Sequence, residues 1–511
     1  MKFSPSMWQF LNERIGTKYL DAAEMLPNFK GGSIRLLQNA RNRQRTSAQE
    51  AFMKTRPMEG VSLKFDQLLL IEIFPIEDYT SLEQQLQKLF PGNQKLEEMM
   101  DSFSDVANNL FSGGWSNIGH IVREKVNSFF FPFAVATLPE LPEEVYRIDI
   151  SVSKVLPSIF AVSFNVFLAQ EATERLQSLL GRHYLPHITF GGILPLRKNL
   201  NRRSELGSEQ VMRKEVLQSL ADLRLKIERQ LRSKLKGIFL RLPKKQSPQL
   251  PAIEMLSIYG ISPSPDSMRE GLNRNSAWMN CFGLTHWRTN QLFTNSEMLF
   301  QWSENDGGSE NHSYKLVAFV EKDESPEFQE RNRLAWEDIA RSITPLIASF
   351  GFIESTRRDL ERLRITVYKT LTKNSFLKNL TRDIRLNNEV QLKQMILLRL
   401  QFELKSSRWG IEQEAGQMRE FVMLNQVHPG TLGDAFLNAI DNRLERLCGH
   451  SEVVSNVLSA YLQRRNLDVA YRLQRRLFWW TALVSLVTVY GMAKDWPAFQ
   501  HIICWIRLRF H

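Results

Sequence analysis

Apolar residues recur at every second position in several stretches of the first 320 residues, and at every third or fourth position after that; this change of period divides the chain. Residues 67–74 (QLLLIEIF) form a β-rich apolar run stopped by Pro75, and residues 81–90 repeat apolar positions at helical spacing, which predicts a strand and then a helix. Ile148, Ile150 and Val152, followed by Phe160, Val162, Phe164, Val166 and Leu168, alternate with polar neighbours on either side of Leu156-Pro157-Ser158. That is the pattern of a half-buried antiparallel hairpin. A helix is expected over 170–180, a loop over 197–208, and an amphipathic basic helix over 211–236 with Val216, Leu220, Leu223, Ile227, Leu231 and Leu235 on one side. Proline clusters at 244–251 and 262–267 mark a candidate linker near 244–267. Residues 297–302 and 314–320 predict a second hairpin with a long polar tip, after which the β content is expected to end.

Ser325-Pro326-Glu327 then places an N-cap, a first-turn proline and an acid in the order that opens a helix. The apolar positions Ile339, Ile343, Ile347 and Phe350, then Leu360, Leu363 and Val367, continue at helical spacing, and 390–404 is strongly apolar. His428-Pro429-Gly430 breaks the pattern ahead of a final long helix beginning near Gly433. Leu437, Ile440, Leu444, Leu447, Ser451, Val454, Leu458 and Tyr461 repeat there with heptad spacing, a seam for packing on other helices. The stripe then slips to Leu462, Val469, Leu473 and Leu477, a stutter that locally unwinds a coiled coil without ending the helix.

Residues 477–493 (LFWWTALVSLVTVYGMA) carry no ionisable group apart from the Tyr490 phenol, and their length is at the lower end of what spans a core of roughly 30 Å. Trp479 and Trp480 at one end, with Tyr490 and Trp496 at the other, have the placement of interfacial aromatic belts, and Arg472, Arg475 and Arg476 precede them as cytosolic positive charges do. After Pro497 only 498–506 is apolar, enough for roughly half a bilayer. The expected fold class is therefore α+β/α: an N-terminal α/β cytosolic domain over 1–324, and a long-helix stalk over 325–476. The stalk runs into a C-terminal transmembrane helix within a membrane segment over 477–511.

Composition narrows the picture without changing it. Of 511 residues, 43% are apolar and 24% charged, the balance of a folded globular chain. The three cysteines, Cys281, Cys448 and Cys504, are far apart, so neither a disulfide framework nor a zinc module is indicated. A net charge of +11 is compatible with nucleic acid, an anionic membrane surface or a margin of solubility. The basic helix over 211–236 lacks the interleaved aromatics of a stacking platform, which argues against nucleic acid, and the chain's end favours the lipid bilayer as partner.

The residues Tyr461-Leu462, Asn466, Arg472 and Leu473 ahead of a hydrophobic run closing on Tyr490-Gly491-Met492 resemble the end of the CorA-like magnesium transporter family. The resemblance implies an α/β cytosolic domain, a helical stalk, two membrane helices, a pentameric homo-oligomer and a Gly-Met-Asn signature at the ion entrance, with Mg2+ or another divalent cation as transported or regulatory ion and no bound cofactor. On that reading Tyr490, Gly491, Met492 and Asp495 are the pore or ion-entry candidates, and Trp505-Ile506-Arg507-Leu508-Arg509 is similar to the family's basic tail. The chain departs from the pattern at Ala493, where the signature has asparagine, and in its short second segment. Two readings follow: divalent-cation transport gated by the cytosolic domain, or a membrane-anchored regulatory or effector protein that keeps the scaffold without selective transport. Both place the protein in the cell (inner) membrane with its N-terminal body in the cytoplasm.

No phosphate-binding Gly-rich loop, GxGxxG, HExxH or GxSxG occurs, and no enzyme activity is expected. His183 and His187 are separated by Pro186 in an extended stretch and are read as structural.

Overall fold

The computed structural model describes residues 56–91, 115–124, 134–185, 187–190, 203–241, 250–284, 291–302 apart from 296, 313–320, 326–372, 380–424 apart from 407, 430–493 and 497–509, with isolated positions before 56. The elements in chain order are β1 (Ser62–Pro75), α1 (Tyr79–Leu89), β2 (Trp115–Val122), β3 (Ala134–Thr137), β4 (Val145–Leu156), β5 (Ile159–Leu168), α2 (Gln170–Leu180), β6 (His187–Phe190), β7 (Arg203–Leu206) and α3 (Ser208–Lys234). There follow β8 (Ala252–Tyr259), α4 (Pro265–Arg274), α5 (Ser276–Cys281), β9 (Gln291–Thr294), β10 (Met298–Trp302), β11 (Ser313–Val320), α6 (Pro326–Thr372), α7 (Leu380–Ser406), α8 (Arg408–Gln417), β12 (Val422–Met423), α9 (Leu432–Ala493) and α10 (Pro497–Arg509).

Two compact units emerge, one built from residues 1–355 and 400–443, the other from 356–399 and 444–511. The first holds a ten-stranded mixed sheet in the order β12-β9-β10-β11-β8-β1-β5-β4-β2-β3, with β6 and β7 forming a separate pair. Most neighbours are antiparallel; β8 with β11 and β2 with β3 are parallel. The β4–β5 hairpin pairs Ile150 with Phe164 and Val152 with Val162, as the alternation predicts. Phe164, Val162 and Val166 are fully buried.

One face of the sheet packs on helices: Leu63, Phe65, Leu256 and Val317 meet Leu176 of α2, Val216 and Leu220 of α3 and Trp278 of α5 in one core. The opposite face carries an aromatic cluster, with Trp302 of β10 stacked on Phe436 of α9 at 4.4 Å and edge-on to Phe350 of α6 at 5.8 Å. Each ring gains geometry-specific attraction beyond the area it buries. The stretch between the two proline clusters is β8, a buried central strand. The β content also continues past 325, because Val422 and Met423 pair with Thr294 and Phe293 at the sheet edge.

In the second unit, Leu363 and Val367 of α6, Leu386 and Val390 of α7, and Val454 and Leu458 of α9 form a small core. The heptad seam of α9 is thus filled at Val454 and Leu458 by helices of the same chain.

The expected C-terminal transmembrane helix is not supported: among the described residues no helix is long and apolar enough to cross a membrane. The uncharged part of α9 begins at Leu477 and stops with the helix at Ala493, about 25 Å at the usual rise, short of a hydrocarbon core of roughly 30 Å. Arg475 and Arg476 bound it on one side, and Thr481, Ser485, Thr488 and Gly491 dilute it. The fold class is corrected accordingly, to a mixed ten-stranded sheet with helices.

Candidate functional site

Past Leu458 the packing of α9 thins out, and from Leu467 onward nearly every described side chain of the helix lies exposed. Leu477, Phe478, Trp479 and Trp480 make a complete helical turn of large apolar side chains, and Leu483, Val484, Leu486, Val487, Val489 and Tyr490 continue it around the axis. Trp480 is 65% exposed and Met492 78%. A helix that is apolar on all sides is ordinarily buried, so this one lacks its partner within the described chain. Thr481 and Thr488 donate their hydroxyls to the carbonyls of Leu477 and Val484, each at 2.8 Å, and so present methyl groups outward.

The candidate residues from the sequence fall on this segment. Arg472, Arg475 and Arg476 occupy the turn before it, Trp479 and Trp480 its first turn, and Tyr490, Gly491 and Met492 its last. A Cβ at Gly491 would meet nothing within 4 Å, so no neighbour requires glycine there. Asp495 and Trp496 lie outside the described residues. Among the described residues no group of three or more His, Cys, Asp or Glu is arranged to hold a metal ion.

The first unit holds its charges inside. Glu72 of β1 is fully buried on the α3 side of the sheet, and its carboxylate accepts the backbone N–H groups of Ile73, Phe239 and Leu240 at 2.9, 2.9 and 2.7 Å. Burial pushes its pKa up to about 7; the three N–H groups pull it down, and the neighbouring Glu228 pushes it further up. Gly237 allows this approach, since a Cβ there would lie 2.4 Å from the Ile73 carbonyl oxygen and 2.6 Å from the Glu72 side chain. Glu228 accepts the Leu250 N–H at 2.9 Å while Arg224 donates to the Leu250 carbonyl at 2.9 Å, so α3 clasps both polar groups of one residue. Farther along the same face, Glu254 of β8 is paired with Lys315 of β11 and has Arg224 at 4.0 Å.

On the opposite face, at the β2–β4 end, Asp149 Oδ1 lies 2.6 Å from His120 Nδ1 and 2.8 Å from Arg147 Nε, and the Arg147 guanidinium sits over the Phe167 ring at 4.5 Å. This geometry fixes the imidazole rather than activating a nucleophile. Burial pushes the pKa of the Cys281 thiol up to about 12, which keeps it protonated at neutral pH.

No family model matches the chain, and no curated protein does. Among solved structures, one described as the complete structure of the CorA magnesium transporter from Methanocaldococcus jannaschii is similar at 8% identity and a TM-score of 0.20, over 52% of this chain and 90% of that one. A likeness this weak carries no argument about fold or activity.

Sequence reasoning passed over Glu72, Glu254 and Lys315. A signal was available: Glu72 interrupts an otherwise continuous apolar run, and a lone acid in a strand buried on both faces must find specific donors.

Proposed function

We propose that the protein is a regulatory or effector protein held at a lipid surface by the end of α9, with its first unit on the cytoplasmic side. The observation that carries this reading is the bare apolar turn at Leu477, Phe478, Trp479 and Trp480, and the apolar surface that continues from it to Met492. Lipid suits this surface better than a protein groove for three reasons. The apolar residues surround the axis instead of forming a stripe, tryptophan and tyrosine sit at the two ends, and three arginines stand at the near boundary where anionic headgroups would meet them. The reading stops at attachment. Divalent-cation transport is its narrower form and rests on Gly491 and Met492 alone; Ala493 lacks the amide oxygen that a hydrated hard cation would meet in the signature.

The test is flotation with vesicles of phosphatidylcholine and phosphatidylglycerol, comparing the full chain with one ending at Arg476. The full chain is expected to float and the shortened one to stay at the bottom; recovery of both at the bottom overturns lipid attachment. Magnesium entry into the same vesicles would extend the reading to transport.

A second reading, assembly into a homo-oligomer, is favoured by a different observation. Leu392, Met395 and Leu398 form an exposed apolar stripe on α7, with Met395 67% exposed. Light scattering in detergent, with and without Met395→Glu, tests it: one mass for both proteins removes this stripe as the contact.

A further inference from the structure

Beyond the apolar end of α9, α10 (Pro497–Arg509) distributes its residues differently. At 3.6 residues per turn, positions 498, 499, 502, 503, 505 and 506 share one half of the helix circumference, and all six are apolar. Positions 500, 501, 504, 507 and 508 take the other half and read Gln, His, Cys, Arg and Leu. The end of α9 is apolar on every side; α10 has a wet side and a dry one. On the apolar half Trp505 is 58% exposed and Ile506 48%, so water meets much of a surface that would favour an apolar phase.

Charge is one-sided here. Residues 497–511 contain no Asp or Glu, while Arg507 and Arg509 stand in the last turn of the helix. Arg509 is the one charged position within the apolar half, and its guanidinium lies over the Trp505 ring at 4.6 Å. The pair holds a cation at the helix end against an aromatic of the kind that seats at headgroup level. Thirteen residues cover roughly 20 Å, too little to cross a hydrocarbon core of roughly 30 Å. A short helix with one apolar half, a tryptophan, and arginines without acids has the make-up of one that lies in the plane of the interface.

We infer that α10 is a second lipid-binding element, an interfacial helix seated lengthwise among anionic headgroups. Ile506, near the middle of the apolar half, points toward the acyl chains; Cys504, on the opposite side, stays in water; Arg507, at the flank, meets the phosphates. A second copy of the chain is the poorer complement, because its own α10 brings the same arginines to the contact and no acid. The inference rests on attachment through α9, and the experiment is chosen so that the two fail separately.

A nitrobenzoxadiazole probe is attached to the full-length protein at Cys504, or at position 506 in Ile506→Cys with Cys504→Ser. Both proteins carry Cys448→Ser, and the buried Cys281 stays unlabelled. Each is added to preformed vesicles of phosphatidylcholine and phosphatidylglycerol and treated with dithionite, which does not cross the bilayer and bleaches probe that is in contact with water. Bleaching is expected to be slow at 506 and fast at 504, and fast at both without vesicles. Fast bleaching at both positions of a protein that floats with the vesicles overturns the role of α10 and leaves attachment through α9 standing. Slow bleaching at both overturns the lengthwise seating, and a protein that does not float overturns both readings. Protection at 506 without vesicles, growing as the protein is concentrated, assigns the face to a second copy and overturns the inference as well. Arg507→Gln with Arg509→Gln, without a probe, is expected to lower affinity for the mixed vesicles about tenfold and to leave affinity for phosphatidylcholine alone unchanged. No loss, or an equal loss on both lipids, overturns the contact with anionic headgroups.

Discussion

The first unit buries carboxylates and ammonium groups, while the end of α9 leaves leucine, valine and tryptophan in the open. Glu72 and Glu254 sit in the sheet at no more than 5% exposure, whereas Trp479 and Leu486 stand more than half exposed. Residue type alone would assign these places the other way round. In the sheet, each buried charge has been given donors or an opposite charge by strands and by α3. On α9 the apolar surface has no such complement among the described residues. The contrast separates a region whose buried charges are matched within the chain from one whose apolar surface has no complement among the described residues, and substitutions at four places probe it.

The largest effect is expected at Glu254. Replacing it with leucine leaves Lys315 and Arg224 buried without their carboxylate, and breaking a buried pair by removing one partner costs about 3–5 kcal/mol. Adding Lys315→Met is expected to restore much of that loss, because the stranded charge goes with it. Urea denaturation of the three proteins measures this. A single-variant cost within about 0.5 kcal/mol, the usual range for an exposed site, would break the comparison on the sheet side.

Glu72 comes next, and its effect depends on pH. Its folded pKa of about 7 lies above the ordinary 4.5, so between those values the folded chain holds a proton that the unfolded chain has released. Stability from this group is therefore present at low pH, declines as pH rises from about 4.5 to about 7, and is level above that, a change on the order of 3 kcal/mol. Glu72→Gln is expected to abolish that slope. Denaturation midpoints at pH 5, 6, 7 and 8 for both proteins provide the check, and parallel profiles would show that the carboxyl stays ionised throughout.

In the second unit the comparison can be made along α9 alone. Leu458 is fully buried among helices of its own chain, and Leu458→Ala is expected to cost about 2–5 kcal/mol. Hydrogen exchange at the amides flanking Leu363 and Val390, which pack in the same core, reports the loss locally. A small cost would mean that this core is as incomplete as the helix beyond it.

Much of this division was legible before any coordinates. The hairpin of β4 and β5 declared itself through strict alternation, and α9 through a heptad that stuttered without breaking. β8 was passed over because proline clusters flank it and Glu254 interrupts its apolar run, so it read as part of a linker. β2 was missed because the polar Asn117, Gly119 and His120 interrupt its apolar positions Ile118 and Ile121, and β12 because it is two residues long. The apolar end of α9 was legible as a segment needing an apolar partner, but its span was overread: the run is too short and too diluted by Thr481, Ser485, Thr488 and Gly491 to cross a bilayer. The heptad predicts packing on other helices, and at Val454 and Leu458 those helices are α6 and α7 of the same chain. Periodicity reports that a face is buried and is silent on which chain buries it.

The smallest effect on stability is expected on the bare end of α9, and it is the sharpest test of the contrast. Leu483 and Leu486 are 54% and 71% exposed, so alanine at either position removes no packing from the described structure. Each variant should unfold within about 0.5 kcal/mol of the natural chain in the absence of lipid. Binding to anionic vesicles should weaken in each by about tenfold, since a leucine side chain transferred from water to an apolar phase is worth roughly 1.5–3 kcal/mol and alanine keeps only part of that. Stability unchanged and vesicle affinity reduced would place the partner of α9 in the lipid. Stability reduced in lipid-free solution, with the loss growing as the protein is concentrated, would place it in a second copy of the chain.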